Sequence, residues 1–359
     1  MTESQRKPRV VAPFEFWPLW LVYAPVVLYS LVLAIRHRSM TVPLCANPGI
    51  PLAGMAGASK HEILCRAGAA TRAYIAPWVR VRNHTKRTPE GLAQLALRQA
   101  RDAGIDFPLV AKPDIGCRGA GVRLLRDADE LVTYLADFPH GADAILQQFV
   151  DWQGEAGLFF IRDPAAGPGR LYSITLKSAP TLIGDGVRSV RELMQQDARV
   201  SRLAKLYTQR HQQRLDDVLA GGEELPLVFA GSHCQGSVFR DGREHITPAL
   251  TKALEGIFAD LDGIYYSRVD VRYKDLQSLR AGRDFRIIEI NGAASEAAHI
   301  WDSRSTLREL YRTLFFQYRT LFRLGAAERR RGAVVPSLRA LFHAWRRERR
   351  LTRLYPEAM

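Results

Sequence analysis

Residues 16–35, FWPLWLVYAPVVLYSLVLAI, form a run of twenty without a single charge. That is long enough to cross a bilayer as a helix. Trp17, Trp20 and Tyr23 cluster at its start, as interfacial anchors do, and Arg36, His37 and Arg38 close its end. No small-residue cleavage site follows, which argues against a signal peptide. Pro18 and Pro25 would each remove a hydrogen bond from a helix interior. Basic residues flank both sides, Arg6, Lys7 and Arg9 before and Arg36 and Arg38 after, so charge gives no orientation. The run is expected to contact a membrane, either spanning it or lying in its interface, with a buried soluble helix as the alternative.

Residues 40–105 show little periodicity beyond Ser59 and Glu62, whose spacing predicts a capped helix start. From residue 107 the pattern sharpens. FPLVAK, residues 107–112, is a short apolar run expected as a buried strand. Segments 122–125, 144–149, 155–161, 171–177, 265–273 and 285–290 also have strand character. Asp127 followed by Glu130 predicts a helix running to about Phe138. A long polar helix is expected over 200–220 and an amphipathic one over 306–323. Strands in hairpin-like succession with helices between them predict an α+β architecture whose sheets are covered on one side.

Charge changes the picture at the other end of the chain. Of a net charge of +14, half falls in residues 321–359, which hold ten Arg, no Lys and three Glu. Leu338, Leu341, Phe342 and Trp345 recur there at helical spacing, with Arg339, Arg346, Arg347, Arg349, Arg350 and Arg353 around them. This predicts a basic amphipathic helix for an anionic membrane surface, or else a helix packed on the domain with a solvated Arg face. Nucleic acid is not expected as a partner, because no helix-turn-helix, finger or stacking platform accompanies the basic run. Cys45, Cys65, Cys117 and Cys234 lie far apart, which argues against a zinc site and a disulfide framework and fits a reducing compartment. With 47% apolar and 25% charged residues over 359 positions, the chain can bury a core and hold about two domains.

Two clusters carry candidate chemistry. Lys112 ends its apolar run and is followed by a loop, 113–121, containing Gly116, Gly119 and Gly121 with Arg118 between them. A strand-end cation and exposed backbone N–H groups can hold phosphate oxygens. In Arg268-Val-Asp270 and Glu289-Ile-Asn291 the period of two places each outer pair on one strand face. On neighbouring strands they would present two carboxylates, an amide and a guanidinium to one spot, a donor set suited to Mg²⁺ and a transferring phosphoryl group. The alternative is a salt-bridged pair on an edge strand.

PLVAKPDIGCRGAGV (108–122), QQFVDWQGE (147–155), RVD (268–270) and RIIEINGAASE (286–296) together resemble the ATP-grasp superfamily, near D-alanine–D-alanine ligase. The resemblance covers about 200 residues in order and spacing. It implies an ATP-grasp fold, two α+β lobes gripping ATP, with Lys112 and the 114–121 loop on the phosphates and Arg268 beside them. It implies Asp270, Glu289 and Asn291 as ligands of Mg²⁺, or of Mn²⁺ in its place. Gln148 and Glu155 have the seven-residue spacing of the family's adenine hinge and ribose-binding Glu, although Gln148 stands where the ligases usually have Glu. Leu146 to Val150, including Phe149 and Val150, would supply hinge backbone bonds. LKSAPTLIGDGVRSVRELM (176–194) resembles the GDG segment of cyanophycin synthetase and the glutathione synthetase module, which implies Lys177 as a second phosphate lysine.

The ligases carry an N-terminal α/β domain that residues 1–75 do not resemble. The substrate side is therefore open, with His233, Ser295, Glu296 and His299 as candidates. The expected layout is a membrane-associated segment (1–40), an N-terminal lobe or linker (41–105), the ATP-grasp domain (106–325) and a basic tail (326–359). The implied activity is an ATP-dependent carboxylate–amine ligase working through an acyl phosphate. Its carboxylate and amine substrates are expected to include an amphiphile, and its place is the cytoplasmic face of the cell membrane. A kinase and a non-catalytic nucleotide-binding scaffold remain as alternatives.

Overall fold

The apolar and alternating runs of the central chain pair into three antiparallel sheets in a computed structural model, which describes residues 11–12, 14–83, 87–229 and 236–357. The strands in chain order are β1 (Trp78–Arg82), β2 (Leu109–Pro113), β3 (Arg123–Leu125), β4 (Asp143–Gln148), β5 (Gly154–Ile161), β6 (Arg170–Ser178), β7 (Thr181–Ile183), β8 (Glu224–Pro226), β9 (Val238–Asp241), β10 (Tyr266–Tyr273) and β11 (Phe285–Asn291). A four-stranded sheet has the order β1-β4-β2-β3, a five-stranded sheet β11-β10-β5-β6-β9, and β7 and β8 form a small ribbon. The expected α+β architecture is present.

The four-stranded sheet buries one face under helices, whereas the five-stranded sheet, expected to be covered on one side, is covered on one face and on part of the other. In the four-stranded sheet, Leu109, Ala111, Ala144 and Leu146 pack with Leu92, Ala93, Ala96 and Ala100 of the helix Pro89–Asp102 and with Leu131 and Leu135 of the helix Ala128–Asp137. The Asp127 side chain caps that second helix, accepting from the Glu130 N–H at 2.9 Å. In the five-stranded sheet, Leu158, Phe160, Val269, Val271 and Ile287 pack with Leu250, Leu254, Ile257 and Phe258 of the helix Pro248–Ala259. The alternate residues of β5 point the other way. Phe159 and Ile161 at one end of that face pack with Leu321 and Leu324 of the long helix Leu307–Arg330, while Glu155 and Gly157 at the other end face the cleft.

The helix expected over 200–220 is broken. A 3-10 turn at Val200–Leu203, a short helix Ala204–Arg210 and a second turn at Gln212–Arg214 replace it. Beyond them the carbonyls of Leu215, Asp217 and Leu219 accept from the N–H groups of Arg191, Val190 and Gly186. Val200, Tyr207, Leu215 and Leu219 thereby enter a small core with Leu182 and Leu225, and that packing outweighs helix propensity. The helix expected over 306–323 runs further, to Arg330, and Thr306 caps it by accepting from the Glu309 N–H.

The first and last helices of the described residues pack on this framework. The uncharged run forms the helix Leu19–Arg36, with Pro18 at its cap and Pro25 inside. Val22 and Val26 pack with Leu310 and Leu314, Leu33 and Ala34 pack with Phe322 and Ala326, and the Tyr29 and Phe315 rings lie 4.7 Å apart. The basic helix Leu338–Thr352 buries Leu351 and turns Leu338, Phe342 and Trp345 outward. The turn Val42–Cys45, all of it buried, crosses the long helix at Gly325.

A Cβ at Gly325 would lie 1.9 Å from the Val42 carbonyl oxygen and 2.7 Å from its carbon, so two backbones meet where only glycine fits. Gly325→Ala is expected to lower unfolding free energy by about 1–3 kcal/mol through overpacking. Urea denaturation monitored by circular dichroism measures it, and an unchanged midpoint would refute the close approach.

Candidate active site

Lys112 stands at the end of β2, where the two larger sheets meet, and only 7% of it is exposed. Its ammonium donates to Gln147 Oε1 of the neighbouring strand β4 and to the Ile288 carbonyl of β11, both at 2.8 Å. That carbonyl is available because β11 bulges there: Asp270 pairs with Glu289 and Val271 with Ile287, leaving Ile288 outside the ladder. One lysine thus ties one sheet to the other. Burial pushes its pKa down to about 8, with Glu289 and Asp270 pulling upward.

Strands β10, β11, β5 and β6 then build a charged patch by register alone. Arg268 lies opposite Asn291, Asp270 opposite Glu289 and Gly157, and Glu155 opposite Lys177 and Arg272. Asp270, 4% exposed, accepts from Arg268 Nε at 3.0 Å and Nη2 at 3.2 Å, and from Asn291 Nδ2 at 3.1 Å. Lys177 Nζ sits 2.9 Å from Asp270 Oδ1 and 3.2 Å from Glu155 Oε1. Burial alone would raise the Asp270 carboxyl, but Arg268 and Lys177 hold it below its ordinary value. Burial works against the charge on Lys177 too, and Asp270 and Glu155 more than restore it. Gly157 makes this crowding feasible. A Cβ there would lie 3.0 Å from Arg268 Cδ and 3.1 Å from Asp270 Oδ1.

The loop 113–121 forms the opposite wall. Arg118, Gly119 and Gly121 have φ of 58°, 74° and 69°. Lys60 donates to the Gly116 carbonyl at 2.7 Å and stands 3.7 Å from Glu289 Oε1. The C-terminal helix braces the loop from outside. Tyr355 donates to the Ile115 carbonyl at 2.6 Å, and Glu348 accepts from the Gly57 N–H at 2.5 Å. Burial, then Glu348, raises the Cys117 thiol to about 11, so it stays protonated.

Between the walls lies a cavity of about 530 Å³. Lys112, Gly116, Arg118, Gly119, Gln148, Phe149, Val150, Glu155, Lys177, Arg268, Asp270, Glu289 and Asn291 all line it. Gly121 sits behind it, its carbonyl accepting from the Tyr134 hydroxyl at 2.9 Å. The Gln148 amide is held locally, accepting from the Asp106 N–H at 3.0 Å and donating to the Phe149 carbonyl at 3.2 Å. Among the substrate-side candidates, Ser295 and Glu296 line the cavity. His299 does not: it is fully buried behind the wall, Nδ1 lies 2.7 Å from Ser173 Oγ, and burial lowers its pKa to about 4. His233 lies outside the described residues.

Lys60, Gln147, Gly157 and Tyr23 belong to the site without having been singled out for it. Gln147 is adjacent to a residue that was, and its strand parity could have found it. Lys60 opens the helix that Ser59 caps, in a stretch of little periodicity, and Tyr23 comes from the apolar run. The Tyr23 hydroxyl reaches the cavity to donate to Glu296, which also accepts from the Trp301 side chain.

Among the described residues, no group of three His, Cys, Asp or Glu side chains could hold a metal by itself. Asp270, Glu289 and Asn291 offer two carboxylates and an amide oxygen. Mg²⁺ typically uses one or two carboxylates and completes its shell with water and phosphate oxygens. The donor set therefore fits a metal that arrives with a nucleotide and does not form an all-protein cage.

No family model and no curated protein matches the chain. Among solved structures it is similar to D-alanine–D-alanine ligase from Bacillus anthracis, at 15% identity and a TM-score of 0.42 over 79% of this chain and 72% of that one. It is also similar to a bifunctional glutathione synthetase from Pasteurella multocida, at 17% identity and a TM-score of 0.37 over 72% of this chain. The match spans 36% of that synthetase, about a third of its length. A D-Ala:D-Ser ligase from Enterococcus faecalis overlaps 74% of this chain and 62% of its own at 13% identity, with a TM-score of 0.39. All these TM-scores lie below 0.5, so the overlaps are partial.

Replacing Asp270 by Asn would leave the buried Lys177 and the partly buried Arg268 without their shared counter-charge. Asp270→Asn is expected to cost about 3–5 kcal/mol of stability. A carboxyl held below its ordinary 3.8 contributes stability that is complete above that value and lost as pH falls through the folded pKa. The gap between wild type and variant should therefore close in acid, below about pH 4. Denaturant titrations across pH measure both effects.

Proposed function

We propose that the chain is an ATP-dependent carboxylate–amine ligase. The observation that carries this reading is the convergence of two buried lysines, Lys112 and Lys177, and the partly buried Arg268 with Asp270, Glu289 and Asn291 in one cavity walled by a glycine loop. Three cations beside an oxygen donor set suit a triphosphate and its metal. In this reading the loop 113–121 and Lys112 hold phosphate oxygens, and Phe149, Val150 and Glu155 receive the nucleoside. Asp270, Glu289 and Asn291 would hold Mg²⁺, which supplies charge neutralisation on the phosphates when bound.

Lys177 and Arg268 now share Asp270, so an arriving phosphate finds two donors already positioned and charged. A substrate carboxylate attacks the γ-phosphorus, the bond to ADP breaks, and an acyl phosphate forms. An amine then attacks the acyl carbon, a C–N bond forms and phosphate leaves. Glu296 suits the amine step. Burial raises its pKa above the ordinary value, which favours accepting a proton from an ammonium group, and Tyr23 and Trp301 fix its orientation. An ATP-consuming site also implies the ATP-containing side of any membrane the chain touches, the cytoplasmic face.

Glu289 is the acid to test, because its side chain is 29% exposed and its ion-pair partner, Lys60, lies 3.7 Å away. Glu289→Gln is expected to lower turnover by about 100-fold or more without a change in melting temperature. The assay incubates wild type and variant with Mg-ATP and a cell extract containing lipids and small metabolites, followed by mass spectrometry. An amide-mass product with ADP and phosphate supports the ligase. A product heavier by one phosphate would make the chain a kinase, and no difference from the variant would favour a nucleotide-binding scaffold.

A further inference from the structure

The helix Leu19–Arg36 has two faces, and both are apolar. Its inner face, Val22, Val26, Leu33 and Ala34, is packed against the long helix Leu307–Arg330 along its whole length. Its outer face carries Trp20, Val27, Leu28, Leu31, Val32 and Ile35, with Trp20, Leu28 and Ile35 exposed by 72%, 66% and 79%. No charged residue interrupts that face between Leu19 and Ile35. Water-facing helix surfaces are normally polar, so a face of this composition requires an apolar cover.

Length and composition alone would allow the helix to cross a bilayer. The packing does not. Its partner helix exposes Arg308, Arg312, Arg319 and Arg323 and is fixed to the five-stranded sheet through Leu321 and Leu324. A spanning pose would carry those arginines into hydrocarbon, where a charged side chain is strongly disfavoured. An in-plane pose places only the outer face in the lipid. The charges around it fit such a surface. Arg36 and Arg38 end the helix, and Arg329 and Arg330 stand beside them, with Arg329 donating to the His37 carbonyl at 3.1 Å. Trp17 and Trp20 stand at the other end, as interfacial residues do.

The same helix is a wall of the cleft. Leu19 and Tyr23 line the cavity, and Tyr23 bonds the Glu296 carboxylate. We propose that Leu19–Arg36 is an in-plane anchor seated in an anionic lipid leaflet, and that the cleft opens against that leaflet beside Leu19. Amphiphilic substrates then reach Glu296 from the lipid surface. This last clause rests on the ligase reading, whereas the docking itself requires no turnover, so each can fail without the other.

Two measurements decide it. Purified full-length protein is sedimented with vesicles of phosphatidylcholine alone or of equal parts phosphatidylcholine and phosphatidylglycerol. Wild type should pellet with the anionic vesicles, and Leu28→Glu with Ile35→Glu should reduce the bound fraction about tenfold while keeping the circular dichroism spectrum. A genetically encoded fluorescent residue at 19, 28 or 35 is then quenched by lipids brominated near the headgroup or deep in the chain. All three positions should be quenched from the shallow site. Wild type remaining in the supernatant, or the double variant pelleting equally, overturns the docking surface. Deep quenching at 28 with shallow quenching at 19 and 35 means a spanning helix. No quenching at 19 means that the cleft faces water. A wild-type dimer that the double variant abolishes assigns the face to a second copy of the chain.

Discussion

Everything at the centre of this molecule depends on keeping one carboxylate, Asp270, ionised in the interior. An isolated buried carboxylate would take up a proton instead of remaining charged. Arg268 and Lys177 prevent that, and they can do so only because β10 lies between β5 and β11 and β6 follows β5. The sheet order is thus the condition for the charge cluster. In turn the cluster holds Lys177 and Arg268 in fixed positions facing the cavity, without water needing to reorganise around them. Gly157 belongs to the same constraint, since a side chain at 157 would crowd Arg268 Cδ and Asp270 Oδ1.

A second, smaller constraint joins the sheets. Lys112 satisfies its ammonium on Gln147 of one sheet and on the unpaired Ile288 carbonyl of the other. The bulge that frees this carbonyl also shifts the register, so Glu289, and not Ile288, comes opposite Asp270. Position of the acid pair and attachment of the four-stranded sheet therefore arise from the same extra residue. An anion placed beside Lys112 would act as Glu289 and Asp270 already do, drawing its proton affinity back up against burial.

Much of this was legible from the residues in order. The period of two in Arg268-Val-Asp270 and Glu289-Ile-Asn291 predicted shared faces, and the strands carry them so. Cap signals at Ser59 and Asp127 mark helix starts because a side-chain oxygen meeting an N–H three residues on is a local event. What stayed hidden is non-local. The bulge at Ile288 leaves no mark in an apolar run. Segment 200–220 has helical composition, yet backbone bonds from Gly186, Val190 and Arg191 capture its carbonyls. The helix Pro89–Asp102 buries alanines, which give little hydrophobic contrast. By sequence Tyr23 resembles an interfacial anchor of an apolar run, and only the packing of that helix beside Trp301 turns it toward Glu296. The C-terminal helix shows the same limit. Its apolar spacing was visible, but the face that packs runs through Glu348 and Leu351 to Tyr355, while Phe342 and Trp345 point away.

The bond from Tyr355 to Ile115 joins residues 240 positions apart. During synthesis the strands flanking the glycine loop leave the ribosome long before the residue that braces them. At about 5–20 residues per second, the loop spends on the order of ten seconds or more as a surface without its brace. A nascent chain in that interval has the loop made but unsupported, so the loop is completed only as the last helix docks. Translation thus orders the assembly of this pocket: the cleft becomes whole only after nearly all of the described chain has been made.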